Sequence, residues 1–345
     1  MAQGDRFDPG YFGERQNGDQ NIKTSPQGSR KKFRKPGLDW GTFVWPILFL
    51  VTHIIVSSLA MGVWMIIKSI MDPSFAYELQ IVTQSMNTIG LQELLMRDIL
   101  PLTIAYSIVQ IIIYGIFLMI KQKKEKYYVL YRSGRVGDWA SGISMMFTTL
   151  GIAMLWLSLL NYLARRVGFV EDIVREYEDL TESAFSMGDT HPIILILALS
   201  VLVPIAEELL FRGIIMAEMR RVMSPWLAIV ANALLFAIFH MQLVQSVYVI
   251  IAGLALAAAY VWSESLVLPI AMHMVYNFFG GVFGQLVVLE GNAIIAYNIV
   301  MISVSIIGLI LAFVMYKKRR LPYKKPIPYA LEGVPGVDPL TPGDQ

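Results

Sequence analysis

Seven uncharged apolar blocks constrain this chain more than any other feature: 43–67, 99–120, 139–164, 192–206, 224–263, 265–289 and 291–316. A helix rises about 1.5 Å per residue, so crossing a hydrocarbon core of ~30 Å takes about 20 apolar residues. The block 224–263 is too long for one span. Its most polar stretch is Met241-Gln242-Leu243-Val244-Gln245-Ser246, where a turn is expected. The block from Pro192 is too short, and reaches span length only if its helix runs on through Glu207, Glu208 and Arg212 toward Arg220. The pattern predicts an all-α, polytopic membrane helix bundle of about eight transmembrane helices.

Composition agrees. Of 345 residues, 56% are hydrophobic and 16% charged, against roughly 25% charged in a soluble domain. A net charge of +2 gives no footprint for nucleic acid. The absence of cysteine excludes disulfides, thiol catalysis and thiolate metal ligands. The N-terminal forty residues or so are polar, unlike a cleaved secretory signal peptide.

The boundaries follow. Residues 1–38 read as a disordered cytoplasmic tail ending in the basic anchor Arg30–Lys35. Residues 39–190 hold three spans and an acidic outer loop. Residues 191–290 hold helices four to seven, 291–318 the eighth, and 319–345 a second disordered tail. With both termini cytoplasmic, the loop Lys121–Arg135, the Arg220-Arg221 turn and the stretch from Lys317 fall inside and are basic; the Ser263–Ser265 turn also falls inside and is the one that is not basic. The segments Lys68–Asp98 and Arg165–His191 fall outside and are acidic on balance. Arg165–His191 is expected to be a solvated loop. The small residues of the sixth span (Ala252, Gly253, Ala255, Ala257, Ala258, Ala259) predict close helix packing. His53 and His191 lie near span ends without acidic company and receive no role.

Ionisable side chains inside a span cost about 3 kcal/mol each on insertion scales and usually mark function. They fall in three motifs. In Glu207-Glu208-Leu209-Leu210-Phe211-Arg212, the i, i+4 spacing lets Glu208 pair with Arg212, while Glu207 points about 100° away. One carboxylate is fixed and the other is left to act as a general base. Phe236-Ala237-Ile238-Phe239-His240 places an imidazole at a span end. His273-Met274-Val275-Tyr276-Asn277 puts two hydrogen-bonding groups on one face, suited to an oxyanion or to gluing helices together. Rise per residue places all three motifs between the cytoplasmic face and the bilayer middle, which predicts a site opening toward the cytoplasm.

Glu-Glu-x-x-x-Arg, Phe-x-x-x-His and His-x-x-x-Asn, in that order, resemble the CAAX-protease and bacteriocin-processing (Abi) family of intramembrane proteases. The resemblance covers roughly Pro192–Phe283 and includes the type II CAAX prenyl endopeptidases and lysostaphin-resistance-like proteins. It implies that Glu207 and His240 activate water, that His273 and Asn277 hold the oxyanion, and that Glu208 with Arg212 braces the site. It also implies a bacterial-type plasma-membrane endopeptidase whose partners are membrane lipid and a hydrophobic or membrane-anchored peptide. The family has been described both as metalloproteases and as glutamate proteases. Glu207, His240 and His273 form a zinc-type ligand set, so zinc stays open as a cofactor. Two rival readings are a non-catalytic scaffold or immunity protein on the same fold, and a proton-coupled transporter.

Overall fold

The apolar blocks become long helices in the computed structural model, which describes residues 40–125, 128–132, 134–185, 191–287 and 289–318. Both expected tails and the Arg30–Lys35 anchor lie outside the described residues. In chain order the helices are α1 (Trp40–Met71), α2 (Pro73–Gln84), α3 (Thr88–Met96), α4 (Ile99–Lys124), α5 (Val136–Ala164), α6 (Gly168–Phe185), α7 (Pro192–Val222), α8 (Pro225–Phe239), α9 (Leu243–Ser263), α10 (Val267–Leu286) and α11 (Asn292–Lys317). The described residues contain no strand, only an isolated bridge between Tyr131 and Ser265.

Seven of these helices are long and apolar enough to span a membrane: α1, α4, α5, α7, α9, α10 and α11. The expected eighth, α8, has 15 residues, about 22 Å at helical rise. It is shorter than the other seven, and the chain turns back within His240–Gln242. Met241 makes that turn with φ of 52°. Rows of large apolar side chains face outward on α1 (Ile47, Val51, Ile54) and α11 (Ile299, Ile302, Ile306, Ile310). Continuous exposed apolar surface of this extent belongs against lipid.

Packing follows the small and polar residues. Helix α5 lies along α11, where Thr148 donates to the Ser305 carbonyl (2.6 Å) and Ser305 to the Phe147 carbonyl (2.7 Å). Gly308 sits against the Ser144 carbonyl, leaving no room for a Cβ. In α9, a Cβ on Gly253 would meet the Ala233 Cα and the Phe236 ring at 3.2 Å. The small-residue face of α9 is thus close packing against α8, as expected.

One end of the bundle gathers the segments expected on the cytoplasmic side. Leu266 N donates to Leu130 O (2.9 Å) and Arg132 N to Glu264 O (2.8 Å). The Arg132 guanidinium also meets the Glu264 carboxylate at 2.7 Å. Tyr128 donates to Glu218 (2.9 Å), and Arg220 donates to the Tyr128 carbonyl (3.3 Å). Burial, with the Glu218 carboxylate beside it, pushes the Tyr128 phenol up, so it stays a proton donor. Arg135 donates to the Lys318 carbonyl (3.0 Å). This end is knitted shut.

The opposite end differs from expectation. Lys68–Asp98 and Arg165–His191 include helices α2, α3 and α6. Asp72 caps α2 by accepting from Ser74 N (3.0 Å), and Asn87 caps α3 by accepting from Gly90 N (3.0 Å). The expected solvated loop is largely an amphipathic helix. Val170, Ile173, Val174, Tyr177 and Leu180 recur at helical spacing and turn inward, while Glu171, Asp172, Glu176, Glu178 and Asp179 stay exposed. Val174 is buried, and the Tyr177 hydroxyl bonds that of Tyr248 on α9 at 3.1 Å.

Candidate functional site

Helix α7 is not a regular α-helix. Two π-helical segments, Ile196–Leu202 and Leu209–Ile215, flank the short α-helical stretch Val203–Glu208 that carries both carboxylates. Such wide turns recur at functional sites because they redirect side chains and free backbone groups. One cause is visible in the sequence. Val203 N–H bonds Ala198 O in the wide register, and the next donor in that register would be residue 204. That residue is proline and has no N–H. The orphaned Leu199 carbonyl is satisfied by Asn277 Nδ2 at 2.9 Å. An amide nitrogen carries two hydrogens, so one fixes Asn277 to α7 and the second remains for the site.

The two glutamates divide as their spacing predicts. Glu208 is fully buried, and its Oε1 accepts from Arg212 Nη1 at 2.7 Å. Arg212, also fully buried, reaches the Gly253 carbonyl at 3.2 Å and lies over the Phe236 ring at 4.6 Å. The same Glu208 Oε1 accepts from His273 Nδ1 at 2.9 Å. That contact is absent from the sequence reading, which gave Glu208 only Arg212. A carboxylate accepting at Nδ1 sets the proton there and turns Nε2 outward. His273 Nε2 lies 3.7 Å from Glu207 Oε2. The Glu207 side chain is 19% exposed, so it is the accessible carboxylate of the two.

His240 forms the C-cap of α8. Its Nδ1 lies 2.8 Å from the Phe236 carbonyl. A carbonyl has no proton to give, so Nδ1 donates, and in the neutral ring Nε2 keeps its lone pair. The Phe236 ring stands edge-on to both imidazoles, with centroids 4.8 Å from His240 and 5.7 Å from His273. Phe236 therefore sets the orientation of both.

Glu207, His240, His273 and Asn277 all line one cavity of about 530 Å³. Glu208 and Arg212 stand behind it. Leu150, Ala153, Leu157, Val249 and Met301 form an apolar wall, and Tyr177, Thr181, Gln242, Gln245 and Tyr248 add polar groups. The lining falls in one half of the bundle. Each helix contributes from the half remote from the knitted end. Helix α9 lines the cavity from Gln245 to Leu256 and α5 from Leu150 to Leu157. Helix α8 contributes only Phe236 and His240, while α3 and α6 add Met96, Tyr177, Leu180 and Thr181. Counting depth along separate helices placed the residues at similar levels but could not show which end was closed.

The zinc-type set does not converge. Among the described residues, no three His, Cys, Asp or Glu side chains are grouped so as to hold a metal ion. Glu207, His240 and His273 share the cavity wall, and Nδ1 of each histidine is bonded to an oxygen, which leaves Nε2 of each ring uncommitted by these bonds.

Two residues outside the motifs support the site. Asn232 is fully buried and donates to the Phe211 carbonyl at 2.8 Å, tying α8 to the second wide segment of α7. Its signal was present: Asn232, Phe236 and His240 recur every fourth residue, on one helix face. Gln242 caps α9 by accepting from Gln245 N at 2.7 Å. His191, assigned no role, caps the start of α7 by accepting from Ile193 N at 3.2 Å. His53 Nδ1 lies 3.2 Å from the Tyr114 hydroxyl, outside the cavity lining.

Residues 189–279 match the family model of the type II CAAX prenyl endopeptidases, Rce1-like. No curated protein and no solved structure matches the chain. The matched stretch holds all three motifs, which bears out the family resemblance drawn from them. The chain is an all-α polytopic membrane helix bundle in which residues 189–279 are similar to the Rce1-like type II CAAX prenyl endopeptidases.

Proposed function

We propose that the chain is an intramembrane endopeptidase that hydrolyses a peptide bond in a hydrophobic or membrane-associated peptide, with Glu207 as general base. The observation that carries this reading is the sorting of two adjacent carboxylates. Glu207 faces the cavity, while Glu208 is sealed behind it on Arg212 and His273. In the proposed step Glu207 takes a proton from water as the water oxygen attacks the scissile carbonyl. The His240 Nε2 lone pair accepts the second water hydrogen and holds the nucleophile in line. The carbonyl oxygen becomes an oxyanion facing Asn277 Nδ2–H, with the His273 ring beside it. Glu208 behind Nδ1 holds that ring in place, as a buried carboxylate does behind a catalytic imidazole. Glu207 then returns its proton to the leaving amine, and the products are an amine and a carboxylic acid, which gives up its remaining proton to solvent. No step runs through a metal.

The test is cleavage of a hydrophobic quenched-fluorescent peptide set by the purified full chain in detergent. Glu207→Gln and His240→Ala run in parallel, with and without a strong chelator. Both variants should remain folded and lose on the order of 10²–10⁴-fold in rate, and chelation should change nothing. Full activity in Glu207→Gln would refute the base assignment. Activity lost to chelator and restored by zinc would refute the metal-free step.

A further inference from the structure

The cavity opens at one end of the bundle, and that end has a charge signature. The knitted end carries Lys121, Lys123, Lys124, Arg132, Arg135, Arg220, Arg221, Lys317 and Lys318, against Glu125, Asp138, Glu218 and Glu264. The open end carries Asp72, Glu78, Asp98, Glu171, Asp172, Glu176, Glu178, Asp179 and Glu290, against Lys68, Arg97, Arg165, Arg166 and Arg175. Loops rich in Lys and Arg stay on the cytoplasmic side of a membrane. With α8 carrying the chain to the turn at His240–Gln242 and α9 bringing it back, the seven span-length helices and α8 make eight traverses, which keep all the basic segments on the same side.

We infer that the site is entered from the face of the membrane opposite the cytoplasm, and that its substrate is a peptide presented at that outer leaflet. The inference rests on the proposed protease reading for the word substrate, and on geometry for the direction. Along α9 the lining residues Gln245, Tyr248, Val249, Ala252 and Leu256 form one stripe. It spans about 16 Å at helical rise. It begins in the first turn of α9 and ends before the Tyr260–Ser263 turn that is sealed on Leu130 and Arg132. The rim is polar and the walls are apolar. That suits an extended segment whose backbone meets Gln245 and Tyr248 while its side chains enter the space beside Leu150 and Met301. Helix α6 is part of the entrance: Tyr177 and Thr181 line the cavity, and the Tyr177–Tyr248 bond pins the helix to α9. A cytoplasmic peptide would have to pass the buried Arg220–Tyr128–Glu218 network to arrive.

The chain has no cysteine, so single-cysteine variants report without background. Glu178→Cys marks the exposed face of α6, Gln245→Cys the cavity and Tyr131→Cys the knitted end. Each full-length variant is made in an expression host and treated with a membrane-impermeant maleimide in right-side-out and inside-out vesicles. Glu178→Cys and Gln245→Cys should react at least tenfold faster in right-side-out vesicles, and Tyr131→Cys at least tenfold faster in inside-out ones. The reverse pattern, or Gln245→Cys labelled only from the cytoplasmic side, would overturn the inference. A second arm adds a hydrophobic quenched-fluorescent peptide to the bath. Cleavage in right-side-out vesicles alone supports the inference, and cleavage in inside-out vesicles alone overturns it. With no cleavage in either, the protease reading fails while the labelling pattern still decides the direction.

Discussion

Substituting the two adjacent glutamates one at a time should give opposite results, which tests the division of labour at the centre of the site. Glu208 Oε1 accepts from two buried partners at 2.7 and 2.9 Å, and Arg212 is fully buried with only the Gly253 carbonyl as its other acceptor. Glu208→Gln removes the countercharge while leaving the guanidinium in place. Two unit charges about 4 Å apart attract by ~4 kcal/mol at an effective dielectric constant of 20. Breaking one side of a buried pair costs about 3–5 kcal/mol, because the other charge is stranded. Glu207, at 19% exposure with a polar neighbour no nearer than His273 at 3.7 Å, should tolerate the same change within about 1 kcal/mol. The assay is reversible unfolding in mixed micelles titrated with an ionic detergent, with peptide cleavage measured on the same preparations. Glu207→Gln should keep its stability and lose its activity. Glu208→Gln should lose both. Adding Arg212→Met to Glu208→Gln should recover a large part of the lost stability but not activity, since His273 still lacks its carboxylate. If Glu207→Gln destabilised as much as Glu208→Gln, or if Glu208→Gln stayed within 1 kcal/mol of wild type by this measure, the reasoning would be wrong.

Three further expectations concern the frame around the site. Pro204→Ala supplies an N–H for the Leu199 carbonyl and releases Asn277 from that bond; cleavage should fall about tenfold or more with stability unchanged or raised, and an unaltered rate would show that the bond does not position Asn277. Asn277→Ala leaves the Leu199 carbonyl unsatisfied, so about 1–3 kcal/mol of stability should go, together with roughly 10²–10³ in kcat, read by the same unfolding and cleavage assays. Gly308→Ala drives a methyl into the Ser144 carbonyl on α5; overpacking of about 1–3 kcal/mol is expected in the unfolding assay, with KM unchanged because Gly308 is not in the cavity lining.

Much was legible along the chain. Uncharged runs mark the spans because no water lies within the hydrocarbon to solvate a charge, and length alone separates a span from a short core helix. Helical spacing gave the Glu208–Arg212 pair and set Glu207 apart, since the residues four apart share a face whatever surrounds them. The three motifs, in order, gave the family. Other features were written in the sequence and easy to overlook. The inward stripe of α6 from Val170 to Leu180 was hidden under its acids, and the Asn232–Phe236–His240 face was read only from Phe236 to His240.

What the tertiary structure decided were relations between helices, which one-dimensional spacing cannot carry. Glu208 holds His273 as well as Arg212 because α7 and α10 meet face to face there. Asn277 is committed to Leu199 because a proline on another helix leaves that carbonyl without a donor. The zinc-type residues share a cavity wall without converging on one point. Which end of the bundle is sealed is also a matter of tertiary contacts. Rise per residue fixes a depth within each helix, but which end of a bundle is sealed depends on where loops pair. The bonds joining Leu130 and Arg132 to Glu264 and Leu266 close the basic end and leave the cavity open at the acidic one.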